Sequence, residues 1–483
     1  MLNEYLLKGL EKNADGIALV YGTNEYTYIG LRKCIEEFAD KLKLSGIKKM
    51  SKVLLLVENP LEFVLTFFAL DTLGAVVLPL YGQTGVNKVK EIISTYEINY
   101  FIQNCRNQEY GFEYEIVNFD EETSACIYNC SNLVDTELEN TELILFSSGT
   151  TSMPKAIMLS YNNVKSNVQA ISAYLNLEIG DTILLMKNLS HSSSIVGELL
   201  VGLYNGCTIV LNDKLPRTAS ILKLLSENKV SVFFAVPTIL KAIMDYKKLD
   251  SYDLSKLRII NFYGAPMYYK DILKLIDILP QTNLIYSYGQ TEASPRVTYI
   301  EKEDLLHRPL SSGKAIEQVC VEIYNEKNQK VAPMEIGEIT VVGPNVMLGY
   351  YRNEAKTLAT IKGNRLFTGD LGYMDEEGFL YVTGRKDNMI ISAGKNIYLE
   401  EIENVLMSHS DISEAVVVGK KEDNETCTII AYVVLSHNST FDLQAIYEFC
   451  RDNLENYKIP KEVIQVKSLE KTASGKIRRN ITN

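Results

Sequence analysis

Residues 143–155 read LILFSSGTTSMPK, a short apolar run that passes directly into small and hydroxyl-bearing residues. The apolar part is typical of a buried strand. The second part has what a phosphate-binding loop needs: small residues that let backbone N–H groups approach oxygens, hydroxyl donors and a cation. The candidate phosphate ligands are Ser147, Ser148, Gly149, Thr150, Thr151 and Lys155. A polar surface loop would have the same composition, so this stretch alone leaves both interpretations open.

Upstream of this loop, helical and strand patterns alternate. From Thr27, an expected N-cap, apolar residues recur at helical spacing as far as residue 42. Apolar runs at 53–57 and 75–80 are typical of buried strands, and the segment between them that follows Pro60 is predicted to be helical. Strands that alternate with helices favour parallel sheets covered on both faces.

Downstream, beyond residue 261, the pattern loosens into shorter strands. The runs 371–374 and 379–383 flank an Asp-Glu-Glu-Gly turn and predict a hairpin. The last hundred residues combine helix and strand patterns into a small α+β unit. The predicted fold class is therefore α/β, with parallel-type sheets and a β-rich subdomain in a large N-terminal domain, followed by a small α+β C-terminal domain.

The domain boundary is expected in the polar stretch 384–387, which gives an N-terminal domain 1–385 and a C-terminal domain 386–483. At 483 residues the chain is long enough for roughly three structural units by ordinary domain size.

Composition excludes several classes of function. With 49 basic and 61 acidic residues the net charge is −12, and the chain lacks the basic footprint of a nucleic-acid-binding protein. Its sequence has no uninterrupted apolar run of the roughly 18 residues needed to span a bilayer. The start, MLNEYLLKGLEKN, lacks the features of a signal peptide, and the eight cysteines are scattered without disulfide or zinc spacing. We therefore expect a cytoplasmic protein.

The string SSGTTSMPK at 147–155 resembles the signature loop of the adenylate-forming superfamily, which includes acyl-CoA synthetases, peptide-synthetase adenylation domains and beetle luciferases. That signature usually reads SGTTGxPKG. Ser152 and Ala156 stand here where glycines are usual, while Gly149 and Lys155 are retained. The two substitutions restrict the backbone conformations that the loop can adopt.

Further motifs follow in the family's order, so the resemblance covers nearly the whole chain. They are Gly264-Ala265-Pro266, YSYGQTE at 286–292, Thr368-Gly369-Asp370, Gly384-Arg385-Lys386-Asp387 and TASGKIRR at 472–479. Taken singly, their polar residues would be turn caps or surface charges. Their shared order favours the family.

The resemblance implies how these motifs bind ATP and magnesium. Glu292 would hold Mg²⁺, since a hard oxygen ligand suits a hard cation. The implied nucleotide ligands are Gly264, Ala265 and Pro266 lining the adenine site, Tyr288 stacking on the base beside Gly289, Thr291 on phosphate, Asp370 on both ribose hydroxyls, and Arg385 on ribose or phosphate.

The same resemblance implies the catalytic and moving parts. Lys476 would be the catalytic lysine, carried by a mobile C-terminal domain that rotates about a hinge at Asp387. Gly394 would line the channel for the thiol, or would only form a turn. His191 lies in a segment similar to that of acyl- and aryl-CoA synthetases and would be catalytic; a packed core histidine is the alternative.

The implied reaction is activation of a small-molecule carboxylic acid by ATP to acyl-AMP with release of pyrophosphate, followed by transfer to a thiol. The implied cofactors are ATP, Mg²⁺ and coenzyme A. Two alternatives stay open: a ligase that acts on the phosphopantetheine of an acyl carrier protein, and a nucleotide-binding pseudoenzyme suggested by the missing loop glycines.

The sequence does not name the acid. Peptide-synthetase adenylation domains have an aspartate in the segment that matches 235–238, which is AVPT here, so a non-amino acid is favoured. Tyr263 stands where acyl-CoA synthetases often have glycine, which would shorten the acid-binding site. Arg296 could pair with a carboxylated acyl group, but a lone arginine is more often a surface salt-bridge partner, and we expect that role.

Overall fold

A computed structural model describes the chain apart from residues 105–109, 111–113, 119–123, 132–135, 148–152, 187, 213–216, 266, 393–394, 422–426, 437–438, 471–476, 478 and 480–483. The helices are α1 Asn3–Asn13, α2 Tyr28–Leu44, α3 Pro60–Thr72, α4 Val86–Thr95, α5 Tyr161–Leu175, α6 Ser192–Ser194, α7 Val201–Tyr204, α8 Thr218–Glu227, α9 Pro237–Met244, α10 Tyr269–Ile278, α11 Lys302–His307, α12 Glu354–Thr360, α13 Leu399–Ser408 and α14 Leu443–Asn453. A π-helical segment, Ile195–Leu200, joins α6 to α7.

The strands of the N-terminal half are β1 Ile17–Tyr21, β2 Asn24–Thr27, β3 Lys52–Leu56, β4 Val76–Pro79, β5 Tyr100–Asn104, β6 Tyr114–Asn118, β7 Ser124–Asn129, β8 Leu143–Phe146, β9 Ala156–Leu159, β10 Thr182–Leu185, β11 Thr208–Leu211 and β12 Val232–Ala235. The later strands are β13 Ile259–Tyr263, β14 Asn283–Gly289, β15 Arg296–Glu301, β16 Lys314–Ala315, β17 Cys320–Tyr324, β18 Gly337–Val342, β19 Gly349–Tyr350, β20 Ile361–Lys362, β21 Arg365–Met374, β22 Leu380–Arg385, β23 Met389–Ser392, β24 Lys395–Tyr398, β25 Ile412–Lys421, β26 Cys427–Leu435 and β27 Glu462–Gln465.

Two large sheets form the body of the molecule. The first has the order β16-β15-β14-β13-β12-β10-β11-β1-β2, parallel from β14 to β1 and antiparallel at both ends. The second has the order β19-β9-β8-β4-β3-β5-β7-β6, parallel from β8 to β5. The predicted parallel-type sheets are therefore confirmed, with antiparallel edges that the sequence pattern did not indicate.

Local sequence explains why helices cover these sheets. The Thr27 hydroxyl accepts a hydrogen bond from the Gly30 backbone N–H at 3.1 Å, which confirms the expected N-cap of α2. Helix α3 begins after Asn59, whose side chain caps it, with Pro60 in its first turn. Strand β3 is buried along its whole length, as a central strand with helices on both faces requires.

The strands β13 and β14 lie between two apolar cores. In β13, Ile259 and Tyr263 face the core that both large sheets share, whereas Ile260 and Phe262 face a second core. In parallel sheets ligands bind beyond the carboxyl ends of the strands. The residues that follow β13 and β14 are thus placed where a site is expected.

Two smaller units complete the fold. A β-rich subdomain has the order β17-β18-β21-β20, with β22 paired to β21, and it contains the predicted hairpin. The C-terminal unit pairs β25, β26 and β27, and α13 and α14 share its core. The predicted fold class is confirmed. In the part of the chain that the model describes, none of the helices is long and apolar enough to cross a membrane.

Candidate active site

The candidate phosphate loop is the connection between two antiparallel strands. Phe146 at the end of β8 pairs with Ala156 at the start of β9, and the Ser147 N–H donates to the Lys155 carbonyl at 3.0 Å. Ala156, which stands where the family usually has glycine, is a buried strand residue. This departure from the family signature therefore lies in the strand at the base of the loop, where the structure accommodates the alanine side chain. Ser148, Gly149, Thr150 and Thr151 lie outside the described residues.

Lys155 and Glu292 are linked through a tyrosine that the sequence pattern did not indicate. The Lys155 ammonium is 5.6 Å from the centroid of the Tyr350 ring, and the Tyr350 hydroxyl donates to Glu292 Oε1 at 2.9 Å. Burial and the Glu292 carboxylate both raise the pKa of Tyr350, so its hydroxyl remains a donor at neutral pH. A tyrosine in a Gly-Tyr-Tyr strand gives no signal of this contact in the sequence.

The donor set fits a magnesium ion held jointly with a nucleotide. Glu292 is a half-buried carboxylate in the middle of the short 3₁₀ turn Thr291–Ala293, which follows β14 after one residue. Magnesium is usually held by one or two carboxylates together with phosphate oxygens and water, rather than by a cage of protein ligands. Glu292 alone therefore suffices as the protein ligand.

The His191 segment lies beside this turn. Ser192 Oγ and Thr291 Oγ1 are 3.2 Å apart. His191 is the N-cap of α6, and its carbonyl accepts hydrogen bonds from the Ser194 and Ile195 N–H groups. The π-helical segment follows, and such segments are frequent at functional sites. The structure thus places the segment that begins at His191 beside the turn that contains Thr291 and Glu292, as the predicted site requires.

The predicted ribose ligand Asp370 is the centre of a second cluster. The Tyr288 hydroxyl donates to Asp370 Oδ2 at 2.6 Å, and Arg385 Nη1 donates to Oδ1 at 2.7 Å. The Asp370 N–H donates to the Thr368 hydroxyl at 3.0 Å. Burial and the charge of Asp370 raise the pKa of Tyr288, which keeps this phenol protonated.

Glycines keep the carboxyl edge of the first sheet open. Gly264 follows β13 with φ of +89°, a backbone conformation that favours glycine. At Gly289, a Cβ atom would lie 1.9 Å from the Pro295 carbonyl oxygen, so only glycine fits. Gly264, Ala265 and Gly289 are all exposed, although the strands before them are buried. Pro266 lies outside the described residues.

The predicted hinge residue Asp387 is exposed in the 3₁₀ turn Lys386–Asn388, which joins β22 to β23. Next to it, Asn388 Nδ2 donates to Glu400 Oε1 at 2.7 Å. Lys476 and Gly394 lie outside the described residues.

The residue Arg479, three positions after Lys476, is firmly held. Its guanidinium contacts Glu400 at 2.8 Å and Glu403 at 2.6 and 2.8 Å, and it donates to the Val417 carbonyl at 2.7 Å. Glu400 therefore contacts both the hinge turn and the segment that carries Lys476.

The expectation that Arg296 is a surface salt-bridge partner is wrong. Its side chain is 3% exposed. Its backbone is fixed to α5, because the Asn167 side chain accepts from the Arg296 N–H at 3.1 Å and donates to its carbonyl at 2.8 Å. Helix α5 therefore covers the start of β15. The local sequence pattern predicts a surface position for a charged residue, because it contains no information that α5, from elsewhere in the chain, covers β15.

Further hydrogen bonds make the backbone between Glu292 and Arg296 rigid. Asn167 also donates to the Ala293 carbonyl, at 3.3 Å. The Asn345 side chain donates to the same two carbonyls, at 3.0 Å to Ala293 and 3.1 Å to Arg296.

Around Arg296 lies a buried polar group of side chains. The Arg296 guanidinium carbon is 3.9 Å from the centroid of the Tyr263 ring, and the Tyr263 hydroxyl donates to Glu198 Oε1. Tyr263 and Glu198 are both buried. Burial and the Glu198 charge raise the pKa of Tyr263. Tyr263, which is predicted to shorten the acid-binding site, therefore lies against the Arg296 guanidinium, which was expected at the surface.

Comparison with known proteins agrees with this geometry. The family model described as AMP-binding enzyme matches residues 7–351, and the model described as AMP-binding enzyme C-terminal domain matches residues 401–476. The 2-succinylbenzoate–CoA ligase of Listeria monocytogenes is 31% identical, with 99% of this chain and 98% of the relative covered. The indoleacetate–CoA ligase of Aromatoleum aromaticum is 29% identical, with 96% and 94% covered.

Among solved structures, O-succinylbenzoate coenzyme A synthetase from Bacillus subtilis, in complex with ATP and magnesium, aligns with a TM-score of 0.86 at 26% identity. The alignment covers 99% of this chain and 98% of the other. A second structure of the same synthetase, with the same TM-score, contains the acyl-adenylate intermediate.

The chain belongs to the AMP-binding enzyme family. It is an AMP-forming acid–thiol ligase, which activates a carboxylic acid as an acyl-AMP and then forms a CoA thioester. The ligase expected from the sequence is confirmed. The individual roles of the site residues stay predictions.

Proposed function

We propose that the acid is a small, polar acid of the 2-succinylbenzoate type. The observation that carries this proposal is the buried polar group formed by Arg296, Tyr263 and Glu198 next to the Thr291 turn. An alkyl chain would leave Arg296 Nε and Nη2 without polar contacts, which is costly in a buried site. Full-length similarity to 2-succinylbenzoate–CoA ligases supports the same choice.

In our proposal the nucleotide lies along the exposed carboxyl edge of β13 and β14. Tyr288 and the segment 264–266 would bind adenine, Asp370 the ribose hydroxyls, and Arg385 ribose or phosphate. The Asp370 carboxylate already accepts one hydrogen bond on each oxygen, and each oxygen has a further lone pair for a ribose hydroxyl. The loop 147–155 would bind the β- and γ-phosphates, with Lys155 at its end.

Glu292 would hold magnesium, which when bound offsets the charge of the phosphate oxygens. The Tyr350 hydrogen bond fixes the orientation of Glu292. Thr291 and Lys155, on either side of this carboxylate, would contact the phosphates directly.

The first half-reaction joins two anions, because the substrate carboxylate attacks the α-phosphate. Lys476 would neutralise the reacting oxygens. The contacts of Arg479 with Glu400 and Glu403 would hold the Lys476 segment against the C-terminal domain. A preorganised donor of this kind typically accounts for about 100- to 1,000-fold in rate.

The second half-reaction requires that Lys476 leave and that a thiol enter. We propose that residues 386–483 rotate about Asp387, with Gly394 then lining the path of the thiol. CoA is the acceptor, and the phosphopantetheine of an acyl carrier protein is the alternative that remains to be tested. We place the reaction in the cytoplasm, where ATP and CoA are both present.

The test is pyrophosphate release by the purified enzyme with ATP, Mg²⁺ and a panel of acids. We expect 2-succinylbenzoate to give a higher kcat/KM than indoleacetate or palmitate. Thioester formation with CoA should then exceed that with a phosphopantetheinylated carrier protein. A preference for palmitate would overturn the proposed acid, and a preference for the carrier protein would overturn CoA as the acceptor.

A further inference from the structure

Arg296 is a buried cation with unused hydrogen-bond donors. Its side chain is 3% exposed, and neither Nε nor Nη2 has a hydrogen-bond partner among the described residues. A buried charge is costly unless it is paired, and buried polar groups are nearly always hydrogen-bonded. An acceptor that is not part of the described chain is therefore expected at these two nitrogens.

The two unused nitrogens lie on one edge of the guanidinium. Nε and Nη2 point in parallel, and such a pair of N–H groups matches the two oxygens of a carboxylate. Stacking on Tyr263, with 3.9 Å between the guanidinium carbon and the ring centroid, fixes the plane of the group. The hydrogen bond from Tyr263 to Glu198 in turn fixes the ring. The edge is thus oriented before any ligand binds.

Two other arginines that stack on aromatic rings have the carboxylate partner that Arg296 lacks among the described residues. Arg308 stacks on Phe379 at 4.1 Å and pairs with Glu377 at 2.6 Å. Arg365 stacks on Tyr324 at 4.4 Å and pairs with Glu322 at 2.5 Å. Each of these stacked arginines has a carboxylate from the chain itself. Arg296 stacks at a shorter distance, is more deeply buried, and has no ion pair among the described residues.

The open edge is close to the reacting groups. Gly197, on the π-helical segment that follows His191, has no side chain, and a Cβ built there would lie 3.4 Å from Arg296 Nη2. In α6, which directly precedes this segment, Ser192 contacts Thr291. Arg296 itself lies four residues after Glu292 in the sequence. An acid that reacts near Thr291 would therefore direct its far end towards Arg296.

We propose that Arg296 binds a second carboxylate of the acid substrate, so that the enzyme selects dicarboxylic acids and activates the carboxylate far from Arg296. This inference rests on the proposed function and specifies the class of acid that the same site takes.

The first experiment uses the unaltered enzyme and two acids of equal size. One is 2-succinylbenzoate, and the other carries a carboxamide in place of the carboxylate that is not activated. We expect kcat/KM for pyrophosphate release to be roughly 100-fold higher for the diacid, because a buried site built to pair a group strongly rejects its analogue. Equal values for the two acids, or a higher value for the amide, would overturn the inference.

Variants then assign the selectivity to the guanidinium. Arg296→Met should lower kcat/KM for the diacid roughly 100-fold, mostly through KM, and leave the amide within a few-fold. Arg296→Lys keeps the charge but not the paired edge, and should give an intermediate loss. Arg308→Met, the same change in a stacked arginine whose charged partners are Asp304, Asp375 and Glu377, should leave the preference unaltered. Loss of activity on both acids to the same extent in Arg296→Met would contradict a role in selection.

A variant that keeps Arg296 guards against misfolding as the cause. Gly197→Val adds a side chain toward Nη2 and should reduce use of the diacid more than that of the amide. Unchanged selectivity in this variant would contradict the placement of the second carboxylate. Failure of the proposed function is a separate result: unaltered enzyme that releases no pyrophosphate with any acid is not an acid ligase at this site.

Discussion

The nucleotide side and the acid side of the site differ in how their buried charges are paired. On the nucleotide side, Asp370 has Tyr288 on one oxygen and Arg385 on the other. On the acid side, Arg296 has Nε and Nη2 without partners among the described residues. The fully paired Asp370 cluster suits ATP, which is the same ligand in every reaction cycle. The incompletely paired Arg296 would instead favour those acids that supply a second negative charge.

The largest expected effect comes from removing Lys476, the proposed catalytic cation. Lys476→Ala should lower the adenylation rate by about 100- to 1,000-fold, while ATP affinity changes only a few-fold, because the ammonium acts on the reacting oxygens. Pyrophosphate release and ATP binding by calorimetry measure the two quantities. Lys467→Ala, a lysine earlier in the same C-terminal region, is the control. Near-normal adenylation by Lys476→Ala would refute the assignment.

A smaller effect should follow from disrupting the paired side alone. Asp370→Asn removes the charge that Arg385 and Tyr288 contact, and a hydrogen bond to a charged group contributes about 1.5–3 kcal/mol. We expect KM for ATP to rise by about 10- to 100-fold. The ratio of kcat/KM between diacid and amide should be unchanged.

The matched control for Asp370→Asn is Asp375→Asn, in the turn between β21 and β22. It should leave KM for ATP unchanged. A change in acid selectivity in Asp370→Asn would show that the two sides are not independent.

A still smaller effect is expected at Tyr350. Tyr350→Phe removes the hydrogen bond to Glu292 and leaves the ring that Lys155 contacts. A single hydrogen bond contributes about 0.5–1.5 kcal/mol net, so the Mg²⁺ concentration for half-maximal rate should rise by about two- to tenfold. Tyr373→Phe, in the β-rich subdomain, serves as the control. If the dependence of the rate on Mg²⁺ concentration were unchanged, the Tyr350 hydrogen bond would not contribute to magnesium binding by Glu292.

The smallest effect concerns Glu403, which among the described residues contacts neither the Asp370 cluster nor Arg296. Burial raises the pKa of Glu403 to about 7, although Arg479 opposes the shift. Between pH ~4.5 and about 7, Glu403 is therefore protonated in the folded protein and ionised in the unfolded chain. Its contribution to the free energy of unfolding is full below pH ~4.5 and falls as the pH rises to about 7. Glu403→Gln should abolish this fall in the free energy of unfolding.

Chemical denaturation of the unaltered protein and the variant at pH 5, 6 and 7 measures the difference between them. A gap that does not change with pH would contradict the raised pKa. Neither ATP affinity nor acid selectivity should change, because Glu403 contacts neither cluster.

Much of the fold follows from local sequence signals. Thr27, Pro60 and the apolar runs at 53–57 and 75–80 predicted helices and strands that the structure contains, because caps and periodicity act over a few residues. The antiparallel edge strands were missed, since pairing direction depends on residues far apart in the chain.

The site was predicted from the order of motifs, which is why the sequence alone indicates that Thr291, Glu292 and His191 belong to one site. Tyr350 and the burial of Arg296 could not be predicted in this way. Both depend on contacts between distant segments: Tyr350 in β19 approaches Glu292, and α5 covers Arg296. The roles of Gly149, Gly394 and Lys476 stay predictions.

The side chains of Asn167 and Asn345 both donate hydrogen bonds to the backbone between Glu292 and Arg296. These bonds fix the length of this stretch. In our proposal the acyl-phosphate bond forms at the Glu292 end of this stretch, and Arg296 at the other end binds the far carboxylate of the acid. The length of the stretch is set when the chain folds and not when a substrate arrives. If Arg296 binds the far carboxylate, an acid one or two methylenes too short or too long would engage either end but not both, and the enzyme would select acids by chain length.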